Sequence, residues 1–381
     1  MPPTGRSGKA WTGAVPPSET EGPTIPPHRP PVPSFRAALL ILLLLIAPAG
    51  AEAPLPAPPP VLQATGVPGL GPSGQRALSR LVLRNLPRVF VIGPGGAYAF
   101  RAGPLPVEEL ERLALEACQT FSRDRAPCIP WLRNLDIAWP GREWTAPSPP
   151  EDLGFGDARH VTLPDPRFLW WGPGRARGVL VWAHGRNADG ADSRGSQPQA
   201  WVRQFNNAGF DIWRFDRAPE TDFTRAAGIW LRTALAELRR SGYAQVLAAG
   251  QSRGGWNALQ TLVTPHLADA VIAIAPAALA SMEEAAQAAQ LEAFRRLVAA
   301  ADGAARSRVA VANFRGDPFD GVPEERAAVL RALADRTAAF LLIDRPEGIE
   351  GHDAGRGEAF TERFGPCLFR FVTAETQHPA C

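Results

Sequence analysis

Lysine is almost missing from this chain: Lys9 is the single one among 381 residues. A phosphate-binding P-loop then has no ammonium to lay on its phosphates, and Schiff-base catalysis has no amine. Cysteine is scarce too, with four residues, no C-x-x-C and no Cys/His cluster. No structural zinc is expected, and no other metal or cofactor. Charge of either sign in excess is also lacking. The formal +2 belongs to Met1–Ala51, where Arg6, Lys9, Arg29 and Arg36 face Glu19 and Glu21; 36 bases and 36 acids remain beyond it. Such a body carries no electrostatic footprint for nucleic acid. There is no apolar run of the roughly 20 residues that a membrane span needs. Gly93-Pro-Gly95, Gly154-Phe-Gly156 and Gly172-Pro-Gly174 do not open helices after strands, so no dinucleotide fingerprint stands.

What is present begins with a leader. Residues 1–33 are rich in Pro, Gly and Ser without an apolar period, and read as disordered. Phe35-Arg36, an apolar stretch over 37–47, and Ala49 and Ala51 in an A-x-A pattern make a secretory signal peptide. Cleavage after Ala51 is preferred, because Pro54 would follow the other A-x-A. The mature chain is therefore expected outside the cytoplasm, in the periplasm or extracellular, with no stable membrane span. Residues 52–76 read as a Pro/Ala/Gly linker.

A small α+β module is expected over 77–145. Arg88–Ile92 and Ala97–Arg101 form a hairpin around Gly93-Pro94-Gly95-Gly96. Pro106–Cys118 is a helix with acids in its first turn, and Ile129–Trp139 is a further strand. In an exported chain Cys118 and Cys128, ten positions apart, read as a staple. Four cysteines allow three pairings; locality favours Cys118–Cys128 and Cys367–Cys381, a free terminal thiol being the alternative for the second pair. The module is similar to small exported bacterial domains with a helix-Cys, loop-Cys, strand pattern.

From 158 to 381 strands and helices alternate. Val161–Leu163 and Phe168–Trp171 suggest a leading hairpin. Strands follow at 178–183, 210–215, 244–249, 270–275, 308–314 and 338–343, with helices at 199–208, 224–240, 281–301, 323–335 and from 358. Ser281-Met-Glu-Glu284 reads as a capping box. Near-continuous apolar strands between helices mean a doubly wound, mostly parallel sheet covered on both faces.

Gly250-Gln251-Ser252-Arg253-Gly254 sits at a strand-to-helix turn. This G-x-S-x-G is a nucleophile elbow, whose glycines let strand and helix close around the serine. A serine hydroxyl needs a base. His28 is in the leader, His160 precedes the sheet, His184 ends an earlier strand, His266 follows the elbow helix and His378 is in the tail. His352 alone lies in a loop after the last strand, at the edge where sites form. The acid belongs between serine and histidine, after the preceding strand: Asp317 is preferred, with Asp320 the alternative. Backbone N–H groups of Arg253 and Arg186 are the expected oxyanion donors.

His184-Gly185, the elbow, Asp317 and His352 in this order resemble the α/β-hydrolase superfamily, on the esterase, dienelactone-hydrolase and prolyl-oligopeptidase branch. The resemblance covers residues 160–372 and implies acyl transfer through a serine ester, with small-molecule esters as substrates. Arg186 and Asn187 stand where the lipase pattern H-G-G-G has glycines. Arg186, Arg253 and Arg315 flank the catalytic loops. They either favour an anionic acyl or leaving group or, the preferred reading, lie on a solvated rim. The long leader suggests a translation start near Val32, so mass spectrometry of the precursor should find no peptide from residues 1–31; finding one refutes that start.

Overall fold

A strand buried on both faces needs cover on both, and here two layers of helices supply it. The computed structural model describes residues 57–122, 126–187, 189–221, 225–279, 281–373 and 381. The leader, signal peptide and Ala51 site lie outside the described residues, as does His378.

The chain begins with α1 (Pro72–Leu81), β1 (Arg88–Ile92), β2 (Tyr98–Ala102), α2 (Val107–Gln119), β3 (Ile129–Arg133) and β4 (Asp136–Ile137). The strands form an antiparallel sheet ordered β2-β1-β3-β4. β1 alternates as its pleat requires. Val89 and Val91 meet Leu110, Ala114 and Cys118 of α2, while Phe90 and Ile92 face a second core. That second core includes Leu169 and Trp171, so module and following sheet share buried surface. Cys118 and Cys128 are bonded, joining the end of α2 to the start of β3. Cys367 and Cys381 form the second disulfide.

The described part of the expected linker, 57–76, is packed instead. Val61, Val67 and Leu70 are buried in the second core, two short 3-10 turns connect them, and α1 already starts at Pro72. Proline pre-sets φ, so ordering this stretch loses little chain entropy, and three apolar side chains suffice to hold it.

Then come β5 (Phe155–Gly156), β6 (His160–Pro164), β7 (Gly178–Ala183), α3 (Val202–Asn207), β8 (Phe210–Arg217), α4 (Ala226–Arg240), β9 (Val246–Gln251) and α5 (Arg253–Leu259). The chain closes with β10 (Ala270–Ile274), α6 (Glu284–Ala299), β11 (Arg308–Asn313), α7 (Pro323–Arg331), β12 (Ala339–Asp344) and α8 (Glu358–Val372). The sheet order is β12-β11-β10-β9-β7-β8-β6-β5. β7 to β12 run parallel, and β6 is antiparallel to both neighbours. Val179, Val181 and Ala183 of β7 face the core under α4 to α7; Leu180 and Trp182 face the core under α3 and α8. The fold is a doubly wound, mostly parallel α/β sheet preceded by a disulfide-stapled α+β module. No helix among the described residues is long and apolar enough to cross a membrane.

From β7 the chain crosses to β8 on one side, then returns to place β9 on the other. Between the carboxyl ends of β7 and β9 the crossovers diverge, and such a switch point leaves a crevice where ligands bind.

Phe168–Trp171 is not a strand, which corrects the expected hairpin; β6 pairs with β5. Side chains hold the segment in place of a strand partner. Leu169 exchanges hydrogen bonds of 2.9 Å with the Asn206 amide. Asp211 accepts from the N–H groups of Trp171 (2.7 Å) and Gly172 (3.0 Å) and from the Tyr243 hydroxyl (2.7 Å). Burial pushes the Asp211 carboxyl up to about 6. Asp211→Ala strands three donors at once, two of them buried and the Gly172 N–H partly so, and at roughly 1 kcal/mol each should cost about 3 kcal/mol. Urea unfolding with an unchanged slope checks this; a loss under about 1 kcal/mol contradicts the bracket.

Candidate active site

β9 and α5 meet at Ser252, whose backbone stands at φ 56, ψ −121. A left-handed non-glycine residue costs about 1–3 kcal/mol and persists only where its surroundings impose it. Here the neighbours are close. A Cβ on Gly254 would land on the Ala183 carbonyl oxygen, and one on Gly250 would lie 2.7 Å from that same oxygen. The two flanking glycines thus let α5 descend onto the end of β7. Ser252 N–H donates to the Ile274 carbonyl at 2.9 Å, and its own carbonyl accepts from Ala277 and Trp256 N–H at 3.0 Å. The serine is pinned from both sides of the turn.

His352 lies in the loop after β12, and its Nδ1 is 2.9 Å from both Asp317 oxygens. A nitrogen facing a carboxylate carries the proton, which leaves Nε2 as the basic atom of the neutral ring. That Nε2 is buried and has no hydrogen-bond partner among the described residues. Phe319 packs edge-on against the imidazole, centroids 4.6 Å apart. Asp317 also accepts the Phe319 N–H at 2.9 Å, which fixes its carboxylate. Gly351 N–H donates to the Arg315 carbonyl, joining the histidine and acid loops. Gln251, next to the serine, reaches the His352 carbonyl at 3.3 Å and Asp353 at 3.4 Å.

Asp320 turns elsewhere. It pairs with Arg326 at 3.5 Å, both side chains almost fully buried, and burial raises the Asp320 carboxyl while lowering the guanidinium. Of the two candidate acids, Asp317 is the one the structure brings to His352.

The loop after β7 lies against the elbow: a Cβ on Gly185 would sit 3.3 Å from Ser252 Cβ. His184 anchors that loop. Its Nε2 accepts the Arg217 N–H at 2.9 Å, its Nδ1 stands 2.6 Å from the Gly185 carbonyl, and Arg217 Nη2 donates to the His184 carbonyl at 2.6 Å. Burial and the adjacent Arg217 push its pKa down to about 3. The imidazole is a neutral structural pin. Arg253 starts α5, where helix N–H groups lack intrahelical acceptors, and Arg186 follows Gly185 in the loop. The solvated-rim reading holds for the exposed Arg315 alone. Arg253 is buried with Nη1 on the Ala278 carbonyl, and Arg186 is half-buried. Trp256 is core, packed edge-on against Phe294.

Several site residues escaped the sequence reading. Gln287 and Gln290 of α6 bond to the carbonyls of Ser281 and Phe319 and receive the N–H groups of Gly321 and Leu279. They tie the acid loop to the loop after β10. Two glutamines three apart on the buried face of a helix were the available signal. The capping box at Ser281 is not formed; α6 starts at Glu284, because these glutamines fix the chain before it. Gln251 was visible only as the variable position of the elbow. No group of three metal-ligating side chains occurs among the described residues.

Strand order, elbow, and the acid and histidine loops define an α/β-hydrolase fold. No protein-family model matches the chain, and no curated protein matches it. Solved structures are similar at low identity. A puromycin-hydrolyzing peptidase of Mycobacterium tuberculosis is 16% identical, with a TM-score of 0.38 over 56% of this chain and 37% of that one. An esterase of Pyrococcus furiosus is 13% identical, TM-score 0.40, over 55% of this chain and 86% of that one. An esterase of Butyrivibrio proteoclasticus is 14% identical, TM-score 0.41, over 58% and 98%. The chain thus spans well under half of the peptidase. The fold of this chain is read from its own strand order.

The depressed His184 sets a pH dependence. Below the unfolded value of about 6.5 the unfolded chain binds a proton that the folded chain refuses down to about 3, so stability falls as pH falls. Between pH 7.5 and 5 this one group should remove about 2 kcal/mol, and His184→Gln should lack that share. Identical pH dependence of urea unfolding in both proteins refutes it.

Proposed function

We propose that this chain is an exported serine hydrolase that cleaves carboxylic esters through an acyl-enzyme. What supports it is one arrangement: a serine at φ 56, ψ −121, its neighbour Gln251 bonded to the backbone of His352, and His352 Nδ1 held 2.9 Å from Asp317. Ser252 Oγ attacks the ester carbonyl carbon as His352 Nε2 takes its proton. Asp317 holds the imidazole tautomer and stabilises the imidazolium. The N–H groups of Arg253 and Arg186 are assigned to the developing oxyanion. His352 then gives its proton to the departing alkoxide. Water attacks the acyl-enzyme with His352 as base, releasing the carboxylic acid and restoring Ser252. These steps use side chains and water alone, without a cofactor.

The division into a module over 77–145 and a catalytic domain over 158–381 belongs to this reading, as does export through residues 1–51. The substrate is a small or medium soluble ester. A peptidase or acyltransferase on the same residues is the second reading, favoured by the polar cavity described below; a non-catalytic binding protein is a third.

A fluorophosphonate probe should label the wild type and not Ser252→Ala; a folded wild type that stays unlabelled sinks the enzyme reading. Asp317→Ala should lower kcat by about 10³-fold or more, with a stability loss of about 2 kcal/mol for the stranded Phe319 N–H and His352 Nδ1–H. Asp320→Ala leaves Arg326 buried and unpaired, so its cost should fall on stability, by roughly 3 kcal/mol, with kcat within about tenfold. Equal small losses in kcat would reject Asp317 as the acid.

A further inference from the structure

The N-terminal module presses one segment against the mouth of the site. Residues 82–86, between α1 and β1, are fixed from inside by Arg88, buried, whose Nη1 donates to the carbonyls of Leu81, Val82 and Arg84. From outside, four links hold the segment to the hydrolase sheet and its helices. The Gln197 amide exchanges hydrogen bonds with the Leu86 backbone at 3.0 and 3.2 Å, as a strand partner would. Asn85 Nδ2 donates to the Pro198 carbonyl at 2.9 Å, Asn207 Nδ2 donates to the Val82 carbonyl at 3.1 Å, and Arg84 pairs with Glu358. This wall is built.

Two cavities meet along it. One, about 330 Å³, opens beside the elbow, with Gly185, Gln251 and Trp182 on one side and Ser193, Gln199 and Asn85 on others. The second, about 770 Å³, runs outward between the module and α8, past Leu83, Leu86, Pro104 and Pro366. Asn85, Gln197, Ala200 and Arg356 line both. Neither Ser252 nor His352 lines either cavity; the inner one reaches the site through Gly185 and Gln251.

Their chemistry changes with distance from the serine. The inner walls are mostly neutral amides and hydroxyls, with a single cation, Arg356. Asn85 Oδ1 and Gln199 Nε2 are buried without partners, one an acceptor and the other a donor. Gln199 is only 4% exposed and its Oε1 already takes the Trp201 indole N–H. Unsatisfied buried polar groups are costly, and rotation of either side-chain amide toward the cavity lets a ligand amide supply the missing N–H and C=O in one unit. The outer groove adds apolar walls and, beside them, the charged Arg80, Arg84, Glu358 and Glu362, with no aromatic face on which a sugar ring could stack. A plain alkyl chain would leave the inner polar groups unpaired.

We propose that this groove is the acyl subsite and binds a peptide-like chain, amide groups inside and apolar side chains outside, with the N-terminal module as its wall. The proposal rests on the serine-hydrolase reading for the scissile bond, and on the groove alone for the chain. It assigns the module a role in specificity.

The test compares p-nitrophenyl acetate, an N-acetyl tripeptide p-nitrophenyl ester, and a straight-chain ester of matching length on the full mature chain. Wild type should prefer the tripeptide ester over acetate by about 30-fold or more in kcat/KM, and over the alkyl ester by about tenfold. Ala200→Trp plugs the junction and should cut the ratio of kcat/KM for the tripeptide ester to that for acetate by at least about tenfold. Pro104→Trp, in the exposed outer groove, supplies the same readout should Ala200→Trp misfold. No peptide preference, a preference for the alkyl ester, or an unchanged preference in the folded blocked variants overturns the groove assignment. Calorimetry of the N-acetyl tripeptide amide on Ser252→Ala separates the two readings. Binding lost in Ala200→Trp, with no ester turned over by wild type, rejects the hydrolase and keeps the groove; no binding together with acetate turnover does the reverse.

Discussion

The site depends on how closely backbone approaches backbone where β7 ends. Ala183 puts its carbonyl oxygen where a Cβ on Gly250 or Gly254 would have to be. Because both positions are glycine, β9 lies beside β7 and α5 starts without a spacer, and the only remaining path takes Ser252 through positive φ. The consequences spread outward. The loop after β7 lies against Ser252 at Gly185, where a Cβ would displace the Gln251 amide. Gln251 is turned toward the histidine loop, and its amide ties the elbow to the backbone of His352.

Around this contact, arginine takes a structural role that lysine could not fill. Arg88 gathers three carbonyls at the end of α1, and Arg217 clasps the His184 carbonyl while its backbone holds the imidazole. A planar fork with five donors can satisfy several fixed acceptors at once, where an ammonium offers a compact, strongly hydrated charge. In a chain with one lysine, arginine is therefore not confined to the surface. Arg253 shows this most directly, since its place beside the nucleophile suggested a rim and its side chain instead secures the turn after β10.

Much of the sheet and of the candidate site was legible because its signals are local. G-Q-S-R-G announces its turn by the glycines it needs, the strand–helix rhythm follows from apolar periodicity, and Asp317 and His352 stand just past strand ends. The misreadings have a common source. Proline-rich 57–76 lacked periodicity, yet Val61, Val67 and Leu70 were enough once an open sheet face was available. Phe168–Trp171 had strand composition, and Asn206 and Asp211 claimed its backbone before a strand could. Ser281 had the spacing of a cap, and Gln287 took its carbonyl for the acid loop.

The sequence by itself determined the G-x-S-x-G turn, the order of the candidate serine, acid and histidine and the alternating sheet, and it favoured the local cysteine pairs, since each is written in neighbouring residues or in chain order. Tertiary structure decided which carboxylate meets His352, what His184 does, and where the module lies. Those depend on contacts such as Asn85 with Pro198, 113 positions apart, and Asp317 with His352, 35 apart. Asp317 and Asp320 differ little in sequence, and only the buried Arg326 beside one and the imidazole beside the other separate them. Burial and hydrogen-bond partners are properties of the folded neighbourhood, and a linear pattern carries them only where the neighbourhood is itself local.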